Sequence, residues 1–243
     1  MSILFLVTSA IHTKHGIHTA DERLAQTIRT LESIRTHAPG ARMVLLECSG
    51  ERSISDDETE ILQAHANDIF NFHPDPRVRD IYAASGDNWD IVKNATELVV
   101  FCSALQLLLN DHAPLLDGIG RVFKMSGRYV LNENFSLAAH LGPSVDDAYV
   151  LGHRWPSHFT TQSTGGLSEQ VMSRCWSWPA SKTRLVYFRY NLMVEDFMGC
   201  HQQGQYRDIE HLLLKYFDGP YLREIPIVGV EGATGPDGLF IRE

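Results

Sequence analysis

The feature that most constrains this chain is the rhythm of its first seventy or so residues. Ile3 to Val7 is an unbroken apolar run ending at Thr8-Ser9, the pattern of a strand covered on both faces. Thr19-Ala-Asp-Glu22 has the S/T-x-x-E form of a capping box, and Leu24, Ile28, Leu31 and Ile34 or Arg35 follow at helical spacing until Pro39-Gly40. Met43 to Leu46 is a second apolar run, ending in Glu47-Cys48-Ser49-Gly50. Ser55-Asp-Asp-Glu58 is a second capping box, opening a helix to about His65, and Asp68 to Phe72 reads as a third short strand. Strands that alternate with helices of this length imply βαβ units and a parallel sheet. No GxGxxG follows the first strand and no GxxxxGK[ST] occurs, so the dinucleotide and P-loop fingerprints are absent.

Beyond this, His73 to Trp89 is polar and carries Pro74, Pro76 and Gly86, which predicts a loop. A long helix is expected from about Asp90 to Asn110, with Val99, Cys102, Leu105 and Leu109 on one face. Arg121 to Met125 predicts a fourth strand running into Ser126-Gly-Arg-Tyr129. Tyr149–Trp155 and Arg184–Tyr190 are strand-like, Asp208–Phe217 helical, Leu222–Val230 extended and residues 229–243 a glycine-rich tail. There is no internal repeat and no low-complexity linker, so residues 1–243 read as one α/β domain with an irregular second half.

Composition narrows the class. Hydrophobic residues are 44% and charged residues 21% of 243, a globular balance, and the net charge of −9 argues against a broad nucleic-acid-binding surface. Cys48, Cys102, Cys175 and Cys200 form no CxxC pair and read as reduced, buried thiols of a cytoplasmic protein. The N-terminal apolar run lacks a preceding basic residue, and no apolar stretch approaches about 20 residues. No transmembrane segment is expected, and any membrane attachment is expected to be peripheral.

Val122-Phe-Lys-Met-Ser-Gly-Arg-Tyr-Val-Leu-Asn132 is the most distinctive stretch. It resembles an FK-[IL]-[ST]-GRY-x-L element of bacterial and viral glycosyltransferase-like proteins. Further pieces are similar in the same order: Thr19-x-x-Glu-Arg-x-x-Gln-Thr-x-x-Thr-Leu-x-Ser-Ile34, Val44-Leu-Leu-Glu-x-Ser49, Asp208-Ile-Glu-His-Leu-Leu213 and Val228-Gly-Val-Glu-Gly232. The resemblance implies a GT-A-like fold: a Rossmann-type nucleotide-binding half, about 1–130, and an acceptor half, about 131–243. It implies transfer of a sugar from a nucleotide-diphosphate sugar to a glycan, a lipid-linked or another hydroxyl acceptor, as in polysaccharide biosynthesis. Many GT-A enzymes carry Asp-x-Asp at the end of this fourth strand to hold Mg or Mn. Here the position reads Lys124-Met-Ser-Gly-Arg128, so cations stand where carboxylates are expected and the metal requirement is open.

Candidate donor residues sit at or just past expected strand ends or in first helical turns: Thr8, Ser9, Arg23, Glu47, Lys124, Ser126 and Arg128, with Lys93 beside Asn94 at the start of the long helix. Arg23 is poorly placed for the helix dipole, which points to an anion or carboxylate nearby. On the acceptor side, Glu195-Asp196 is expected after a strand at the start of a short helix. Asp196 is a candidate general base, with Glu210 its competitor. The Thr160–Gly166 loop and Trp155, Trp176 and Trp178 are weaker candidates for sugar contact, the tryptophans being at least as well explained as core. Two other readings stay open: a metal-dependent hydrolase using His12, His15 and His18 with Asp21 or Glu47, and a nucleotide-sugar-binding protein without turnover.

Overall fold

The computed structural model describes residues 2–85, 87–235 and 237–243; Gly86 of the expected loop and Pro236 of the expected tail lie outside them. The strands are β1 (Ser2–Ser9), β2 (Arg42–Glu47), β3 (Asp68–Asn71), β4 (Ile119–Ser126), β5 (Val130–Leu131), β6 (Tyr149–Gly152), β7 (Arg154–Pro156), β8 (Glu169–Val171), β9 (Cys175–Pro179), β10 (Leu222–Ile225), β11 (Val230–Ala233) and β12 (Phe240–Arg242). The helices are α1 (Ala20–His37), α2 (Asp56–Gln63), α3 (Pro76–Ser85), α4 (Trp89–Leu109), α5 (Thr183–Gln202) and α6 (Ile209–Phe217).

Seven strands form the central sheet in the order β10-β6-β9-β4-β1-β2-β3. The pairs β1–β2, β1–β4, β2–β3 and β6–β10 are parallel, and β9 alone runs against its neighbours β4 and β6. The chain winds outward from β1 through β2 to β3, then returns to place β4 on the other side of β1. That reversal opens a crevice beyond the carboxyl ends of β1 and β4. Two small sheets, β12-β11-β5 and β7-β8, sit outside the main one.

The first half forms for the reasons written in its sequence. Both capping boxes are made: Thr19 accepts from the Glu22 amide and Ser55 from the Glu58 amide, with each glutamate reaching back to its cap. Alternation along β1 divides the core. Leu4 and Leu6 face a cluster with α4, α5 and α6; Ile3, Phe5 and Val7 face one with Leu31 and Ile34 of α1. α4 is long and apolar enough to cross a membrane by length and composition, with a mean hydropathy of 1.4 over its most apolar window, but 78% of that window is buried within the protein.

Three expectations are corrected. The polar stretch after His73 contains α3: Pro76 stands at its first position, where no amide partner is needed, and Val78 and Ile81 bury its inner face. Arg184–Tyr190 belongs to α5, not to a strand. Its β-branched and aromatic residues favour strands locally, yet the buried positions Val186, Tyr190, Met193, Phe197 and Cys200 fall at helical spacing. The tail after Gly229 is pinned by β11 and β12.

Candidate functional site

The parallel register builds one rim from three strand ends, those of β1, β2 and β4. Thr8 lies opposite Ser126, and Ser9 opposite Glu47. A cavity of about 230 Å³ opens there. Thr8 and Ser9 of β1, Ser126 of β4, and Gly127 and Arg128 after it line its floor; Arg23 and Thr27 of α1 form one wall, and Trp89, Lys93, Thr96 and Glu97 of α4 the other. Tyr82 of α3, His15 of the loop after β1 and Gly235 of the C-terminal segment are also in the lining. Gly127 is required where it stands. A Cβ there would come within 2.8 Å of the Thr8 carbonyl oxygen, which accepts the Gly127 amide at 2.7 Å.

Six of the eight expected donor residues, Thr8, Ser9, Arg23, Lys93, Ser126 and Arg128, line this cavity. Their settings differ. Arg128 is half-buried and makes no ion pair among the described residues; its guanidinium sits 5.9 Å from the Tyr129 ring centre. Lys93 likewise has no ion-pair partner among them. Arg23 is buried and donates to the carbonyls of Ala10, His15 and His18, so it holds the loop after β1 in shape as well as facing the cavity. Burial, reinforced by the Arg128 charge, lowers its pKa.

Glu47 and Lys124 stand behind the rim. Glu47 is fully buried and accepts from Ser9 Oγ at 2.5 Å and from the Ile11 and Ser49 amides at 3.1 and 2.9 Å, which makes it a strand-end brace for the loop. Lys124, 1% exposed, donates to Ser126 Oγ at 2.7 Å and to the Ser173 carbonyl at 2.9 Å, and its Nζ lies 2.6 Å from Glu97 Oε1. Burial pushes the Glu97 carboxyl up, but the Lys124 ammonium outweighs it and holds the pKa below the ordinary value. The position expected to carry a metal-binding carboxylate pair thus holds an internal ion pair. The residues there do not fit a divalent cation: the carboxylate at hand is engaged by an ammonium, and no three His, Cys, Asp or Glu converge among the described residues.

The acceptor-side candidates lie apart from the lining. Glu195 and Asp196 are interior to α5, not at a helix start, because the expected strand before them is the first half of that helix. Glu195 is exposed. Asp196 is bound by Arg207, by Lys215 at 2.6 Å and by Tyr216 at 3.1 Å. Burial alone would raise its pKa, and these partners lower it. Glu210 does open α6, and accepts from Ser173 Oγ at 2.6 Å, one residue removed from the Lys124 network. Asn94 ties α4 to the Tyr206 hydroxyl and the Ile209 amide.

His12, His15 and His18 do not converge. His12 pairs with Glu58, and His15 faces the cavity. Trp176 and Trp178 are core, Trp155 is exposed, and the Thr160–Gly166 loop closes on Tyr206 and Arg207 outside the cavity lining. Sequence reasoning missed Trp89, Thr96 and Glu97. Their signal is one helical face, positions 89, 93, 96 and 97, on which Lys93, Thr96 and Glu97 are polar in a largely apolar helix. It missed Tyr82 and Gly235 because nothing local marks them.

No protein-family model and no curated protein matches the sequence. Solved structures do resemble the fold. The galactosyltransferase LgtC in complex with donor and acceptor sugar analogues superposes with a TM-score of 0.51 at 13% identity, over 91% of this chain and 72% of that one. Core-mannan synthase A from Aspergillus fumigatus, in its Mn/GDP form, superposes with a TM-score of 0.52 at 9% identity, over 88% of this chain and 68% of that one. With its mostly parallel seven-stranded sheet, switch-point crevice and flanking helices, this chain has the α/β fold of GT-A glycosyltransferases.

Proposed function

We propose that the protein is a glycosyltransferase that takes a nucleotide-diphosphate sugar in the crevice beyond β1 and β4 and passes the sugar to a hydroxyl acceptor. The observation that carries this reading is the charge of the cavity on a GT-A-like frame. Arg23, Lys93 and Arg128 converge there in a chain whose net charge is −9, while the one carboxylate among the described lining residues, Glu97, is paired with Lys124. Such a site suits a diphosphate, and Arg128 offers two parallel N–H donors to it. The developing charge on the leaving diphosphate would be met by these fixed cations, so donor binding is expected without a divalent metal. LgtC with its donor analogue and the mannan synthase with GDP support the class of ligand, not the sugar.

The placement of the carboxylates favours one route. Asp196 is held by two cations and Glu210 lies outside the lining, so neither meets a hydroxyl in the cavity. The reading is therefore a transfer in which the leaving diphosphate itself accepts the acceptor's proton, with retention at the sugar carbon. The test is thermal stabilisation by a panel of nucleoside diphosphates and their sugars, with and without EDTA, followed by product analysis. One diphosphate should stabilise equally under both conditions and its sugar should be transferred or slowly released. Stabilisation by none overturns the donor site; stabilisation abolished by EDTA overturns metal independence; binding with no sugar release over many hours favours a non-catalytic binding protein.

A further inference from the structure

Between β7 and the start of α6 lies a chain of side chains that the donor site does not use. Ser157 Oγ is 2.7 Å from His211 Nε2, and His211 Nδ1 is 2.6 Å from Asp208 Oδ1. His211 is wholly buried, whereas Ser157 is half-buried at the edge of an exposed segment, His158 to Thr160. Asp208 also caps α6, accepting the His211 amide at 3.0 Å.

The far end of this chain is a carboxylate. Burial pushes the Asp208 carboxyl up, but the hydrogen bonds from His211 outweigh it and keep the carboxylate ionised. An ionised carboxylate only accepts, so Nδ1 is the donor to Asp208, and in a neutral imidazole Nε2 is then the acceptor that faces the serine. In that form the Ser157 hydroxyl donates into Nε2. The Phe159 amide donates to the same oxygen at 2.9 Å, which favours negative charge developing there. Hydroxyl, imidazole and orienting carboxylate thus stand in the order and at the spacing of an activated serine nucleophile.

We propose that Ser157, His211 and Asp208 form a second catalytic site that cleaves short-chain carboxylic esters presented at this surface. The Ser157 oxygen attacks the ester carbonyl carbon as its proton passes to His211 Nε2. The bond from carbonyl carbon to alcohol oxygen breaks, and the leaving alkoxide takes that proton. Water, deprotonated by His211, then attacks the acyl-serine; the acid leaves, and His211 returns the proton to Ser157. The exposed Phe159 ring, 6.0 Å from the His211 ring, borders the position of the acyl group. This inference does not rest on the donor reading and stands or falls separately from it.

The experiment treats the full chain with a fluorophosphonate probe and, in parallel, with 4-nitrophenyl acetate. The expected result is an adduct mapped to Ser157 by mass spectrometry and ester hydrolysis that falls about a hundredfold or more in Ser157→Ala and His211→Gln. Asp208→Asn, which keeps a capping side chain, should also lose most of the rate. Each variant is checked for fold by circular dichroism. Ser157→Cys supplies a second measurement: its alkylation by iodoacetamide should slow when His211→Gln is added. No adduct at Ser157 in the folded protein, or labelling and alkylation indifferent to His211→Gln, overturns the proposal.

Discussion

The Lys124–Glu97 pair lends itself to a double-mutant cycle. Both side chains are largely withdrawn from water, at 2% and 17% exposure, with 2.6 Å between Nζ and Oε1. At that distance their attraction is about 6 kcal/mol at an effective dielectric near 20, and desolvation offsets much of it. Removing one partner leaves the other buried without compensation. Glu97→Gln strands an ammonium that keeps only the Ser126 hydroxyl and the Ser173 carbonyl, and should destabilise the protein by about 3–5 kcal/mol. Lys124→Met strands a carboxylate with some access to water, which can take a proton, so its penalty should be smaller and should shrink at low pH. The sign follows from linkage: the folded-state pKa of Glu97 is depressed, so its contribution is present above the unfolded value of 4.5 and is lost as pH falls through the folded one. The double variant Glu97→Gln/Lys124→Met should be destabilised by less than the sum of the two single variants. Urea unfolding of the four proteins at neutral pH gives the coupling energy, expected at about 2–3 kcal/mol for contacting charges. Additive single effects, with coupling below about 0.5 kcal/mol, would refute the view that these two charges exist for each other.

Arg128→Ala should weaken binding of a nucleoside diphosphate tenfold to a hundredfold, from the loss of about 1.5–3 kcal/mol of charge-assisted hydrogen bonding, and leave nucleoside binding nearly unchanged; calorimetric titration showing equal losses would remove Arg128 from the diphosphate site. His140 is buried against Phe123 and Phe135, and burial, with Arg121 nearby, pushes its pKa down to about 3 from 6.5. Because the unfolded chain takes up this proton first, stability should be lost as pH falls from 6.5 toward 3, by about 2–3 kcal/mol at pH 4.5. His140→Phe should flatten that acid limb in urea unfolding; an unchanged limb counts against it. Gly127→Ala should lower stability by about 1–3 kcal/mol, read as the melting midpoint, because its methyl group would press on the Thr8 carbonyl and part the ends of β1 and β4.

The first half of the fold was legible because its signals are local. Two capping boxes, two apolar runs and a Pro-Gly stop are each readable within a few residues, and the parallel sheet follows from their alternation. The rim was legible for the same reason, since parallel strands in register deliver their ends to one edge. What failed depended on distant contacts. α5 is rich in residues that prefer strands, and only its packing on α4 and α6 makes it a helix. α1 turns a partly polar stripe inward, with Thr27 meeting Ser9 and Thr30 donating to the Tyr129 carbonyl, so its buried face is not its most apolar one. Lys124 and Glu47 were correctly placed at strand ends, but their burial depends on Glu97 and Ser49, which arrive from α4 and from the loop beyond β2. The Ser157–His211–Asp208 chain joins segments more than fifty residues apart and leaves no local trace beyond the Asp-x-x-His of its cap.

The reversal of β9 has a consequence for how such a chain can change over time. Because β9 runs against β4, it begins where β4 ends: Met125 faces Cys175, and the Ser126 amide donates to the Arg174 carbonyl at 2.8 Å. The chain from Gly127 returns to the central sheet as β6, which runs with β4, so the excursion from His153 to Arg174 leaves the sheet at the end of β6 and re-enters it at the same edge as β9, like a handle fixed at both ends. A handle can be lengthened, shortened or exchanged at small entropic penalty, since closure grows only with the logarithm of loop length. The parallel strands and the cation-lined crevice need not move when it is. The stretch that carries the Thr160–Gly166 loop is thus free to diverge toward new partners, while the residues on either side of the clasp are held to their chemistry.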